Sequence, residues 1–402
     1  MANTNLTISM ITREALRILE NNLSFTKGVN RQYDDKYAIE GAKIGDTLNI
    51  RKPARYIGRS GTTLAVEDHT ETSVPLQLDT QFGVDVNFTS KELTLDISDF
   101  SERILQPALA TVANKIDYDG LQLYKEVYNS VGTPGTTPTA LKTYLQAGAK
   151  MDHEAAPRDG MRSLAIGPDE QVEIVDSLKG LFQSSNQIKN QYEQGNMGMS
   201  AGFKWNMDQN IATHTIGAHG GTPLMAGATV TGATQIVTDG WSASTQVLNE
   251  GDIFTIAGVF AVNPQSRQST GALRQFVATA DVTSDGSGNA TIPVSPSIVS
   301  SGAFQNVDAL PADNAAITVL GTASSTAKAN MAYHRDAFAF ACADLQLPKG
   351  VDMAARVSDK QLGMSVRMVR AYDINNDKFP CRLDILYGWK ALYPELACRI
   401  QG

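Results

Sequence analysis

Apolar residues recur along the chain with two periods, and the switches between them divide it into segments. Ile8, Ile11, Ala15, Leu19 and Leu23 step by three and four, which predicts an amphipathic helix over residues 7–23 with Arg13, Glu14, Arg17 and Glu20 on its other faces. The period then becomes two. Leu48 and Ile50 alternate with Asn49 and Arg51 between the turn residues Gly45-Asp46 and Pro53, predicting a strand. Val74, Leu76, Leu78, Phe82, Val84, Val86 and Phe88 hold the same alternation, with Thr80 alone breaking the apolar series. Read as one strand paired with the first, that run would reach roughly 50 Å at about 3.3 Å per residue, and a ribbon so long should overhang its domain.

A helical period returns after the capping-box spacing Asp99 to Glu102. Phe100, Ile104, Ala108, Val112, Ile116, Leu123, Val127 and Val131 predict a helix of about 48 Å over residues 100–131, with Pro107 kinking it or dividing off its first turns. A second helix is expected from about Thr139, with Leu141, Tyr144, Leu145, Gly148 and Met151 on one face. Leu164-Ala165-Ile166 reads as a buried strand, and Gly167-Pro168 as the turn into a helix carrying Val172, Ile174, Val175, Leu178 and Leu181. The polar residues 183–202 are expected to form a surface loop.

Composition shifts at about Ala212. From there to Lys328 charged residues fall to about half the chain-wide level of 19%, and Gly, Thr, Ser, Ala and Val take their place. Short β runs at 228–237, 253–262, 273–282 and 290–294, separated by turn residues, predict a small all-β barrel or sandwich inserted into the surrounding fold. Residues 364–372 and 381–389, around the polar turn 373–377, predict a closing antiparallel pair.

With 34 Lys and Arg against 42 Asp and Glu, the net charge of -8 disfavours general nucleic-acid binding. Cys342, Cys381 and Cys398 lack a CxxC spacing and are expected to be reduced core thiols. No secretory leader and no run of eighteen apolar residues is present, so no membrane association is expected. His69, His153, His214, His219 and His334 show no metal-ligand spacing, and His214 and His219 read as parts of an ordinary loop. Asp281 to Asn289 departs from an EF-hand and reads as a hairpin turn. No phosphate loop, dinucleotide fingerprint or nucleophile elbow occurs, so neither a catalytic site nor a cofactor or metal is expected. Arg51, Lys52, Arg55 and Arg59, with Tyr56 among them, form a basic cluster. It reads either as a solvated loop with charges of both signs or as a subunit-contact loop.

The order of elements resembles the major capsid protein of tailed double-stranded DNA bacteriophages, the Hong Kong 97-type or Johnson fold. More narrowly it is similar to short-tailed-phage coat proteins that carry an inserted I-domain. The resemblance rests on Gly45-Asp46-Thr47-Leu48-Asn49-Ile50-Arg51-Lys52-Pro53, Phe88-Thr89-Ser90-Lys91-Glu92-Leu93, Pro107-Ala108-Leu109-Ala110, Gly251-Asp252-Ile253-Phe254-Thr255-Ile256-Ala257-Gly258-Val259 and Ala332-Tyr333-His334-Arg335-Asp336-Ala337-Phe338, taken in that order. It implies an α+β architecture: an N-terminal arm (1–44), an E-loop β-ribbon (45–90) and a P-domain with a spine helix (91–162). An A-domain in two parts (163–212 and 329–362) would flank an inserted β-barrel (213–328), and the C-terminal strands of the P-domain (363–402) would follow.

The implied function is a structural, non-enzymatic major capsid protein in the virion, assembled in the bacterial host cytoplasm as hexamers and pentamers of an icosahedral shell. Its partners would be itself, a separate scaffolding protein, a portal protein and non-specifically enclosed double-stranded DNA. An acidic wall would let that DNA slide past without sticking. Arg51, Lys52, Arg55 and Arg59 become candidates for contact between subunits, and Glu14 and Glu20 candidates for contact with scaffold. The same resemblance leaves open an encapsulin-like shell around protein cargo, and a tail or surface structural protein remains the other class.

Overall fold

In the computed structural model the described residues are 23–31, 47–59, 61–64, 66–68, 71–89, 106–178, 198–359 and 364–401. The arm helix expected at 7–23, with Glu14 and Glu20, therefore lies almost wholly outside them, as does most of the polar stretch 183–202. The chain divides into two compact units. Unit 1 comprises Met1–Arg51, Ser73–Gly120 and Phe338–Leu392, and unit 2 comprises Lys52–Thr72, Leu121–Ala337 and Tyr393–Gly402.

Unit 1 is built on the strand Lys378–Ala391, in which Cys381, Leu383, Ile385 and Tyr387 are buried at every second position. One edge pairs antiparallel with Thr80–Thr89, setting Val84 opposite Leu383 and Val86 opposite Cys381. The other edge pairs with Met364–Arg370 and Phe338–Ala343, and Met353–Asp359 adds an outer strand. The helix Gln106–Leu121 buries Leu109, Val112, Ala113 and Ile116, the i, i+3, i+4, i+7 stripe of an amphipathic helix. Near its end Gly120 is required by packing. A Cβ there would stand 2.7 Å from the Trp389 ring and 2.9 Å from the Phe25 ring.

Two expectations fail in these segments. The apolar alternation over 74–88 is not one strand, because it breaks at Leu78-Asp79. Thr72–Gln77 pairs with Thr47–Lys52, whereas Thr80–Thr89 pairs with Lys378–Ala391, so the continuous 50 Å ribbon does not exist. Alternation reports which faces are buried but not the partner, and here the partner changes mid-run. The long helix over 100–131 is also too long. It gives way after Leu121 to a 3-10 turn, Gln122–Glu126, and the chain is extended by Ser130–Val131, which pairs with Ala397–Ile400. Pro107 is the second residue of the described helix.

Unit 2 contains two six-stranded sheets. The first runs Ser130–Val131, Ala397–Ile400, Asn330–His334, Arg162–Ile166, Phe203–Met207, Met199–Ser200. Every residue of Asn330–His334 and Arg162–Ile166 is buried, the signature of central strands. The helix Leu141–His153 supplies Tyr144, Ala147 and Met151, and Pro168–Leu178 supplies Ile174, to a core with Leu164, Ile166, Phe203, Trp205 and Cys398. Leu145 and Val172, placed on apolar faces by periodicity, are exposed.

The second sheet is antiparallel in the order Ile317–Val319, Ile253–Val262, Ser269–Ala278, Ala290–Ile298, Ala233–Trp241, Gly221–Met225. A bridge between Leu224 and Ala316, with the Met225 N–H donating to the Ala315 carbonyl at 2.9 Å, joins its two edges, so the sheet closes on itself. Ile236, Phe254, Ile256, Phe276 and Ile292 fill its interior. The chain enters and leaves this region side by side, with Thr213 opposite Lys328 in the pair Thr213–Thr215 and Thr326–Lys328.

Candidate functional site

Unit 2 brings together three features with chemical character: a loop, a set of buried charges and a cavity. The loop joins Thr47–Lys52 to Thr72–Gln77. Its Glu67 carboxylate accepts from the Ile57 and Gly58 amides at 2.7 and 2.8 Å, and Arg267 donates to the Tyr56 carbonyl at 2.7 Å. Gly58 and Gly61 turn with φ of 74° and 90°. Thus braced, the loop presents Tyr56, Ile57, Leu64 and Val66 with exposures of 52–82%, apolar surface that water penalises.

The four basic candidates do not form one cluster. Arg51 is exposed in the strand Thr47–Lys52, while Lys52, its last residue, places Nζ 4.8 Å from the centroid of the Tyr393 ring. Arg55 forms an ion pair with Glu395 at 2.9 Å within its own chain and stacks near Phe304. Arg59 is exposed on the loop and donates to the Gly61 carbonyl. Glu14 and Glu20 are outside the described residues.

Buried charges join the two sheets of unit 2. Arg274, from the strand Ser269–Ala278, reaches Glu154 at 2.5 Å just past the helix Leu141–His153, with its guanidinium 4.6 Å from the centroid of the Tyr128 ring. Gln275 binds the Ser130 amide and carbonyl at 2.9 and 3.0 Å, as a neighbouring strand would. Arg399 donates to the Gly251 carbonyl at 2.6 Å and lies over Tyr124. Burial lowers Arg399 to about 10, which leaves it charged at neutral pH, and burial raises Tyr124 and Tyr128.

Asp252 stands at the centre of this arrangement. One oxygen meets His214 Nε2 at 2.7 Å, and the other accepts the Gly217 and Asn249 amides at 2.9 and 2.7 Å. The Tyr124 hydroxyl meets His214 Nδ1 at 3.1 Å. Gly251, with φ of 99°, permits the approach, since a Cβ there would stand 3.3 Å from both His214 and Lys125. His214 is thus a buried network residue rather than part of an ordinary loop. Its partner lies 38 positions away, and the one sequence signal was the rarity of charge around both residues.

A His–Asp–Tyr set this deeply buried orients its members; no substrate can reach it. Among the described residues no group of His, Cys, Asp or Glu is placed to hold a metal ion, and no helix is long and apolar enough to cross a membrane. Asp285 closes a turn by accepting from the Ser287 and Asn289 amides, which holds its carboxyl below the usual range. Cys342, Cys381 and Cys398 are buried free thiols, as their composition and spacing implied.

The model of the P22 coat protein family, gene protein 5, matches residues 1–402. The chain belongs to the P22 coat protein family. It is a structural capsid protein of a tailed bacteriophage, and its place is the virion capsid. No curated protein matches it. Among solved structures it is similar to one from Mycobacterium phage Che8, at 10% identity and a TM-score of 0.45, over 94% of this chain and 90% of that one. It is similar to the capsid of Ralstonia phage GP4 at 8% identity and a TM-score of 0.45, over 89% and 84% of the two chains. Over 25% of its length it is similar to the CUS-3 coat protein I-domain, at 28% identity and a TM-score of 0.20, covering 96% of that chain. For a coat protein the exposed loop becomes the feature to explain, because copies of one chain must build the shell.

Proposed function

We propose that the chain folds as a Hong Kong 97-type capsid subunit with residues 213–328 as an inserted β-barrel. It assembles through hexamers and pentamers into an icosahedral shell around double-stranded DNA, in the host cytoplasm, with separate scaffolding and portal proteins. The observation that carries the assembly reading is the apolar crown of the 52–72 loop, Tyr56, Ile57, Leu64 and Val66, braced in an exposed position. Exposed apolar groups on an ordered loop gain when a neighbouring copy covers them, by about 25 cal/mol per Å². The adjacent entry and exit strands at Thr213 and Lys328 support the insertion, since a domain whose termini lie close is tolerated within another.

The contact role assigned to the basic cluster is narrower in this reading. Arg51 and Arg59 are the exposed members, whereas Arg55 and Lys52 engage Glu395 and Tyr393 of their own chain. Glu14 and Glu20 remain the proposed contacts for a basic scaffold segment. Electron microscopy of the chain co-expressed with its genomic neighbours tests the function. Closed polyhedral shells are expected, and a chain that stays monomeric under every assembly condition contradicts it.

A further inference from the structure

Unit 2 encloses an open cavity of about 460 Å³ beneath the base of the 52–72 loop. Lys52, Arg55 and Arg274 face Glu154 and Glu395 around it, so its ionisable lining carries one excess positive charge. Arg274 is 2% exposed, and its Nε has no hydrogen-bond partner. A buried N–H of that kind favours an acceptor brought from outside. The remaining walls combine the rings of Tyr128, Phe304 and Tyr393 with prolines, two valines and a few polar side chains. An occupant that fits must bring negative charge together with an apolar tip.

The chain itself carries such a knob. The turn between Met364–Arg370 and Lys378–Ala391 holds Ile374 at 79% exposure between Asp373 and Asp377, beside the half-exposed Tyr372. The turn is rigid. Asp373 N donates to the Lys378 carbonyl at 2.8 Å, and the Asp373 carboxylate accepts from Asn375 N and Asn376 Nδ2 at 3.0 and 2.7 Å. Those bonds also hold the Asp373 carboxyl below its ordinary range, so it is ionised at neutral pH. A knob ordered before it docks loses little freedom on binding.

We propose that the cavity is a socket for the 372–377 turn of a second copy of this chain, Ile374 entering among the rings and Asp373 or Asp377 facing the basic rim. The inference rests on the self-assembly reading. A knob and a socket on different surfaces of one chain make a heterologous contact, which generates rings or extended lattices instead of an isolated pair.

The test uses wild-type particles made from an equal mixture of isotopically light and heavy chains. A water-soluble carbodiimide, which joins a lysine amine directly to a carboxylate, is applied, and linked peptides are read by mass spectrometry. Links from Lys52 to Asp373 or Asp377 are expected between light and heavy chains in particles, and not in dilute monomer. As a second measurement, Ile374→Arg alters an exposed side chain and should leave monomer melting unchanged while lowering particle yield at least tenfold. Particles lacking the mixed-label links, with Ile374→Arg assembling at wild-type yield, overturn the socket while leaving self-assembly standing. Failure of the wild-type chain to form any particle overturns the assembly reading itself.

Discussion

Units 1 and 2 both combine alternating strands, Lys378–Ala391 and Ala290–Ile298, with strands buried at every position, Phe338–Ala343 and Arg162–Ile166, yet they fix their packing with different groups. In unit 1 a buried carboxylate, Asp117, accepts backbone amides of Ser24, Phe25 and Thr26 at 2.6–3.2 Å, so one helix position anchors the segment Ser24–Thr26. In unit 2 fully buried guanidinium groups reach beyond their own sheets, Arg274 to Glu154 at the end of the helix Leu141–His153 and Arg399 to the Gly251 carbonyl at the start of the other sheet's strand Ile253–Val262. A carboxylate collecting amides fixes where a chain segment lies. A buried arginine fixes how two sheets are registered, because its donors are directional and any slip strands a charge without a partner. Apolar contacts such as that of Tyr128 with Ile253 and Val277 supply area at the same junction but tolerate sliding.

The largest effect that would break this comparison comes from Glu154→Ala, which strands Arg274. A loss of about 3–5 kcal/mol in unfolding free energy is expected, measured by denaturant unfolding followed at the tryptophans. Replacing the pair together, Glu154→Leu with Arg274→Met, should recover most of the loss, since neither charge is then left uncompensated. If Glu154→Ala changed stability by less than about 0.5 kcal/mol, the pair would have no such role.

A smaller effect sharpens the contrast, because each unit carries a buried thiol whose titration burial opposes. Burial raises Cys381 of unit 1 to about 11 and Cys398 of unit 2 to about 12. An unfolded thiol ionises near 8.5, so both groups favour the folded state fully below that pH and progressively less as pH rises towards 11–12. Stability should decline above about pH 8.5 by roughly 1 kcal/mol per thiol for each pH unit. Rates of thiol alkylation at Cys381 and Cys398 then report the opening of each unit separately. Equal rates in wild type and Glu154→Ala at Cys398 would contradict the assignment of the buried pair to unit 2.

Much of this architecture was legible in the order of residues. The strands Ile253–Val262 and Lys378–Ala391 fall where alternation placed them, and Gly167-Pro168 marks the start of the helix Pro168–Leu178. What failed depended on partners distant in sequence. Nothing local in Leu78-Asp79 announces that pairing passes from Thr47–Lys52 to Lys378–Ala391, and nothing in the helical period signals that Ser130–Val131 is claimed by Ala397–Ile400. His214 and Asp252, or Arg274 and Glu154, are unremarkable residues until folding brings them together. The basic loop was visible as composition, but its apolar crown went unread because Tyr56, Ile57, Leu64 and Val66 follow no period.

That crown carries the account's central claim, that a braced apolar loop of unit 2 is covered by a neighbouring subunit. The most direct measurement is Leu64→Asp with Val66→Asp, comparing monomer melting and particle yield in the same preparation. Both side chains are exposed, so monomer stability should stay within about 0.5 kcal/mol of wild type, while particle yield should fall at least tenfold, because a carboxylate desolvated at a subunit contact without a partner is unfavourable. Wild-type particle yield and particle stability in this variant would contradict the claim.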